Sequence, residues 1–179
     1  ILDATCAPQD IRYPTDLTLL NEAREMLERF ITKVFQPFRG QFKKPKMDMK
    51  NARKSFLSIV KQRKWKHNQM RSAIKKQLKY VRLDLKSLDQ LLAMPGHGQL
   101  SEMEQTKLTT IRLLYLQQEQ MFKKGVHRVD DRIVSIAQPH VRPVVRGKAG
   151  HNVEFGAKIS ISVKDGYTFV DKIGWDNFS

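Results

Sequence analysis

Ile1-Leu2-Asp3-Ala4-Thr5 opens the chain. Two aliphatic residues lead into a carboxylate, and small and β-branched residues come after it. This reads as a short buried strand that delivers one Asp at a sheet surface. An acid in such a strand is costly to bury unless a metal ion or a cation meets it. The plain alternative is an Asp at a strand end capping a turn. Strand-like alternation returns only towards the far end of the chain. Phe155, Ala157, Ile159, Ile161 and Val163 alternate with Gly156, Lys158, Ser160, Ser162 and Lys164, a period-two strand with one polar face. Asp165-Gly166 is a hairpin turn signal, and Tyr167, Phe169, Val170 and Ile173 form the returning strand. Ile133-Val134-Ser135-Ile136 reads as another short strand. Pro139 and Pro143 interrupt the stretch after it, and Val144 to Gly150 is a basic, glycine-bearing loop.

Between these ends lies a helical block. After an extended connector containing Pro8 and Pro14, Thr15 or Asp16 caps a helix running to about Phe35. Leu17, Leu20, Ala23, Leu27, Phe30, Ile31 and Val34 make one buried stripe, with Glu22, Glu25, Glu28 and Arg29 outward. Pro37 stops the helix, and Phe38 to Pro45 is a basic loop. A long helical region spans about Asp48 to Ala93, with a break expected near His67 to Gln69. Phe56, Ile59, Val60 and Trp65 form a loose seam in its first half. Ile74, Leu78, Val81, Leu85, Leu88 and Leu92 form a regular coiled-coil seam in its second. Met94 to Gln99 is a tight turn, and Ser101 with Glu104 forms a capping box for a last helix with Leu108, Ile111, Tyr115, Gln118 and Phe122 on its seam. Two matched seams and a short connector predict an antiparallel helical hairpin with arms of roughly 30–40 Å.

The expected class is therefore α+β: a sheet made of the first strand plus a later hairpin, interrupted by a large helical insertion. Residues 1–15 and 130–179 form the sheet part, and 16–129 the basic helical insertion. The chain has 179 residues, enough for one sizeable domain or a domain plus an appendage. It does not begin with Met and ends abruptly, so it is expected to be cut from a longer protein. Its single cysteine, Cys6, excludes a disulfide framework and suits a reducing compartment. No run approaches the roughly 18 apolar residues of a membrane span.

The net charge of +15 is localised. Between Arg39 and Lys86 stand 17 Lys or Arg and two acids, Asp48 and Asp84, while the remainder balances 16 bases against 16 acids. A dense basic field points to a polyanion, most often nucleic acid. The cations expected to track a phosphate backbone are Lys43, Lys44, Lys46, Arg53, Lys54, Lys61, Arg63, Lys64, Lys66, Arg71, Lys75, Lys76 and Lys79. Arg146 and Lys148 in the glycine loop and Lys158 on the polar strand face are added to them. No zinc-finger spacing is present, and His67, His97, His127, His140 and His151 pair with no cysteine cluster.

Ile1 to Thr5 followed by Ile11-Arg12-Tyr13-Pro14-Thr15-Asp16-Leu17 resembles a branch of the bacterial insertion-sequence transposases. So does Arg142-Pro143-Val144-Val145-Arg146-Gly147-Lys148-Ala149-Gly150, with Glu154-Phe155-Gly156-Ala157-Lys158 and Asp165-Gly166-Tyr167 after it. These are DDE transposases with a ribonuclease H-like catalytic domain. The match covers both ends well and the helical middle more loosely. It implies that Asp3 is the first catalytic carboxylate and a ligand of Mg²⁺ or Mn²⁺. It implies that DNA, transposon ends and target, is the partner, that the protein acts as a dimer on paired ends, and that it works in the bacterial cytoplasm at the nucleoid without membrane contact. The family's other two carboxylates lie after the hairpin, beyond this chain. Glu154, Asp165, Asp171 and Asp176 do not match their motifs, so the chain as given is expected to be catalytically inactive. Two Mg²⁺ ions about 3.5–4 Å apart activate the nucleophile and relieve charge on the leaving oxygen in such reactions, and one Asp alone cannot fix a pair of them. Two rival readings are a basic coiled-coil RNA- or DNA-binding module without catalysis and a degraded transposon remnant that keeps the fold. Neither the target and end sequences nor the oligomeric state is legible in the residues.

Overall fold

A computed structural model describes residues 2–8, 15–145 and 153–175, with backbone only at 2–6, 8 and 145. The contacts divide the chain into two compact units, Thr15–Arg128 on the one hand and Ile1–Pro14 with Val129–Ser179 on the other.

The helical unit begins with α1 (Asp16–Val34), capped by Thr15, whose hydroxyl accepts from the Thr18 amide while the Thr18 hydroxyl accepts from the Thr15 amide. Its stripe is buried as the spacing requires: Leu17, Leu20, Ala23, Leu27, Phe30, Ile31 and Val34 are all inside. Glu28, expected to face outward, is buried as well, because Arg24 on the same face is buried and holds it. A short 3₁₀ turn, Gln36–Phe38, comes next with Pro37 inside it. α2 (Met49–Val60) and α3 (His67–Leu92) are separate helices, so the break falls at residues 61–66, earlier than expected. That segment carries Lys61, Arg63, Lys64 and Lys66, whose mutual repulsion disfavours a continuous helix. Trp65 and Val60, expected in the seam, are exposed; Ala52 and Ile59 are the buried residues of α2.

α4 (Glu102–Lys124) starts at the expected capping box, with the Glu104 amide donating to Ser101 Oγ and the Ser101 amide to Glu104 Oε2. It ends on Gly125, in the left-handed region at φ 68°, as a helix C-terminus favours. Arg71 meets Phe122 and Arg112 meets Asp89 in a two-toothed ion pair, so α3 and α4 run antiparallel. The α4 seam is displaced: Leu108, Ile111, Leu114, Gln118 and Met121 are buried, while Tyr115 and Phe122 are half-buried. The hairpin is not a free arm. α3 packs most extensively on α1, which also touches α2 and α4. The apolar stripe of α1 needs cover, and the Ile74–Leu88 face of α3 supplies it.

The other unit is a single antiparallel sheet. β1 (Leu2–Pro8) runs along β3 (Val153–Lys164), with Asp3 opposite Ile161 and Pro8 opposite Gly156. β2 (Arg142–Val145) pairs with the start of β3 and also reaches Gly156, so β1 and β2 lie on opposite sides of it. β4 (Tyr167–Gly174) returns along β3 through the expected turn, where Asp165 and Gly166 adopt φ 52° and 81°. β2 was not expected, since Pro143 argues against a strand. Among the described strands β2 pairs only with β3, and an edge strand of this kind tolerates proline. The expected strand at Ile133 to Ile136 is absent from the described strands. Ser135 Oγ accepts from the Gln138 amide instead, and the Gln138 carbonyl accepts from Val141. Ile133, Val134 and Ile136 are buried. Their apolar run signals burial rather than pairing. No helix among the described residues is long and apolar enough to cross a membrane.

Candidate nucleic-acid interface

The antiparallel approach of α2 and α3 leaves a groove of about 590 Å³. Lys46, Asp48, Asn51, Lys54, Ser55 and Ser58 line it from the α2 side, and Lys76, Lys79, Tyr80, Leu83 and Asp84 from α3. It continues into a smaller depression of about 310 Å³ that shares Ser55, Ser58 and Lys76 and adds Asn68, Gln69 and Ser72. Gln77, fully buried, fixes the spacing of the two helices by donating from Nε2 to the Ala52 carbonyl at 3.0 Å.

Four of the cations expected to meet phosphate, Lys46, Lys54, Lys76 and Lys79, converge on this groove. Lys61, Arg63, Lys64 and Lys66 are exposed at the α2–α3 junction, and Lys43, Arg53 and Lys75 are exposed elsewhere on the same unit. Two others are engaged within the fold. Lys44 Nζ donates to Thr32 Oγ1 at 2.8 Å, and the Arg71 guanidinium lies 4.3 Å from the centre of the Phe122 ring. Lys158 sits on β3 in the other unit, half-buried. Arg146 and Lys148 lie outside the described residues. Asn51, Ser55, Ser58 and Tyr80 escape a reading of sequence by charge. Their signal is only that they recur at helical spacing among lysines.

Beside the groove is a buried charged cluster. Arg24, 1% exposed, donates from Nη2 to Asn21 Oδ1 at 2.8 Å and from Nη1 to Glu28. Its Nε has no hydrogen-bond partner. Asp84 is 6% exposed, near both. Burial, then the charge of Glu28, pushes the Asp84 carboxyl up to about 7, against a smaller pull from Arg24. The guanidinium is bonded to Glu28 and only weakly offsets the charge on Asp84, which is protonated more easily than an ordinary acid.

For the metal site, the strand of Asp3 is placed in the sheet, but its side chain lies outside the description. Among the described residues no group of three or more His, Cys, Asp or Glu could hold a metal ion. These residues therefore do not form a two-ion site, and no catalytic step is assigned to them. No family model, curated protein or solved structure matches the chain.

Proposed function

We propose that this chain is part of a DDE-type insertion-sequence transposase: a ribonuclease H-like sheet bearing Asp3, with a basic helical unit that grips DNA by its phosphate backbone. The observation that carries this reading is the pairing of β1 along β3. The strand holding Asp3 is joined in one sheet to the strand and turn that hold the other family-like motifs, Glu154 to Lys158 and Asp165 to Tyr167. In such enzymes Mg²⁺ or Mn²⁺ ions bound by carboxylates supply the activated oxygen nucleophile and stabilise the leaving oxygen; Asp3 would contribute one ligand. The α2–α3 groove supports the DNA-binding half, since lysines with hydroxyl and amide neighbours suit sequence-independent phosphate contacts. Action as a dimer on paired DNA ends, in the bacterial cytoplasm, belongs to the same proposal.

A second reading, a basic nucleic-acid-binding module without catalysis, accounts for the α2–α3 groove equally well. Cleavage of DNA bearing the element ends separates the two, using the whole protein encoded by the frame that contains this chain. Asp3→Ala is expected to abolish divalent-ion-dependent cleavage and leave DNA affinity unchanged. Cleavage that survives the substitution overturns the assignment of Asp3. Salt-sensitive DNA binding without cleavage in the unsubstituted protein supports the module.

A further inference from the structure

We infer that seating a phosphate backbone in the α2–α3 groove takes up a proton at Asp84, so that the groove's hold on a polyanion weakens as the pH rises through neutrality. This rests on the nucleic-acid reading above and adds a regulatory property to the same site.

The geometry is that of an acid at the foot of a basic groove. Asp84 lines the groove yet is 6% exposed. From α1 it faces Arg24 and Glu28. Lys46, Asp48 and Lys54 line the same groove from the α2 side, and Lys76, Lys79 and Tyr80 from its own helix. The nearest buried cation is already engaged: Arg24 bonds Asn21, Glu25 and Glu28. An ionised Asp84 therefore lacks a buried cation of its own and opposes an incoming phosphate, in surroundings where water screens it poorly. Protonation removes that repulsion and converts an acceptor-only group into one that can donate a hydrogen bond to a phosphate oxygen. Its carboxyl, already raised to about 7, needs only a modest further push to stay protonated at neutral pH. Binding and protonation then favour each other by linkage.

The test is binding of a fluorescently labelled DNA duplex to the protein at constant ionic strength, at pH 6 and pH 8. A rise of about one unit in the Asp84 pKa on binding makes affinity about fivefold weaker at pH 8 than at pH 6. The comparison is with Asp84→Asn, which leaves every other titratable group in place. That variant is expected to lose the Asp84 share of the pH dependence. Glu28→Gln, which removes the like charge beside Asp84, is expected to move the transition to lower pH. Calorimetry in buffers of different ionisation enthalpy counts the protons taken up. If Asp84→Asn does not fold, the Glu28→Gln shift and the proton count decide. A wild-type pH slope in Asp84→Asn, or no transition shift in Glu28→Gln, overturns the proton linkage and leaves DNA binding intact. DNA binding unaffected by replacing Lys54, Lys76 and Lys79 with alanine removes the groove from the interface and overturns the proton linkage; absence of salt-sensitive DNA binding in the unsubstituted protein overturns both readings.

Discussion

Burying Asp84 costs the fold more as the pH rises. Its carboxyl is raised in the folded state from 3.8 to about 7, so between those values the native protein binds more protons than the unfolded chain. Stability then falls with increasing pH across that window, and above it the full cost of a buried charge is felt. The span corresponds to at most about 4 kcal/mol. Asp84→Asn keeps the shape and removes the charge. It is expected to leave stability near pH 4 almost unchanged and to raise it at pH 8 by about 1–3 kcal/mol, read from urea unfolding at the two pH values. A variant equally destabilised at both would mean that the carboxylate is matched by a cation. The cluster of Arg24, Glu28 and Asp84 was not legible from residue types. Charge reads as surface by default, and only the close packing of α1 on α3 encloses these three.

At the level of elements, the contact between the end of α1 and the turn before α4 is tight. The Gly98 amide donates to the Val34 carbonyl at 2.9 Å, and a Cβ at Gly98 would lie 2.5 Å from the Lys33 carbonyl oxygen. Lys33 also reaches Glu104 Oε2 at 2.6 Å, which helps hold that carboxyl below its usual range. Gly98→Ala must push backbone against backbone, and is expected to lower stability by about 1–3 kcal/mol, measured as a drop in Tm. The contrast is Gly96, at φ 80° with open space around it, where strain comes from the backbone conformation alone. The helix starts at Thr15 and Ser101 and the stop near Pro37 were legible, because these residues act on their own neighbours; the stop at Gly125 was not read from the sequence. The seam of α4 was not: Leu114 and Met121 replace Tyr115 and Phe122 inside, because the partner surface includes α1 as well as α3.

For the whole molecule the governing quantity is the localised charge. The excess of +15 sits on residues 39–86, which cover the basic loop before α2, α2 itself, the junction at 61–66 and most of α3. If Lys54, Lys76 and Lys79 each neutralise one phosphate, their replacement by alanine should flatten the dependence of log affinity on log salt by about 2–3, read from DNA binding between low and moderate salt. A slope unchanged by the triple substitution would move the interface to other cations, such as those at the junction.

Local grammar decided much about this protein: its α+β class, the capped helices, the Asp165-Gly166 turn, and a charge excess confined to one stretch. Each arises from interactions among residues a few positions apart, or from simple counting. Long-range packing decided the rest. It set the register of the first strand on the third, made room for Pro143 at a sheet edge, buried Ile133 to Ile136 without pairing them, and gathered lysines from two helices around one groove. Those outcomes depend on which surfaces meet, and many alternative meetings are compatible with the same local pattern until the whole chain closes on itself.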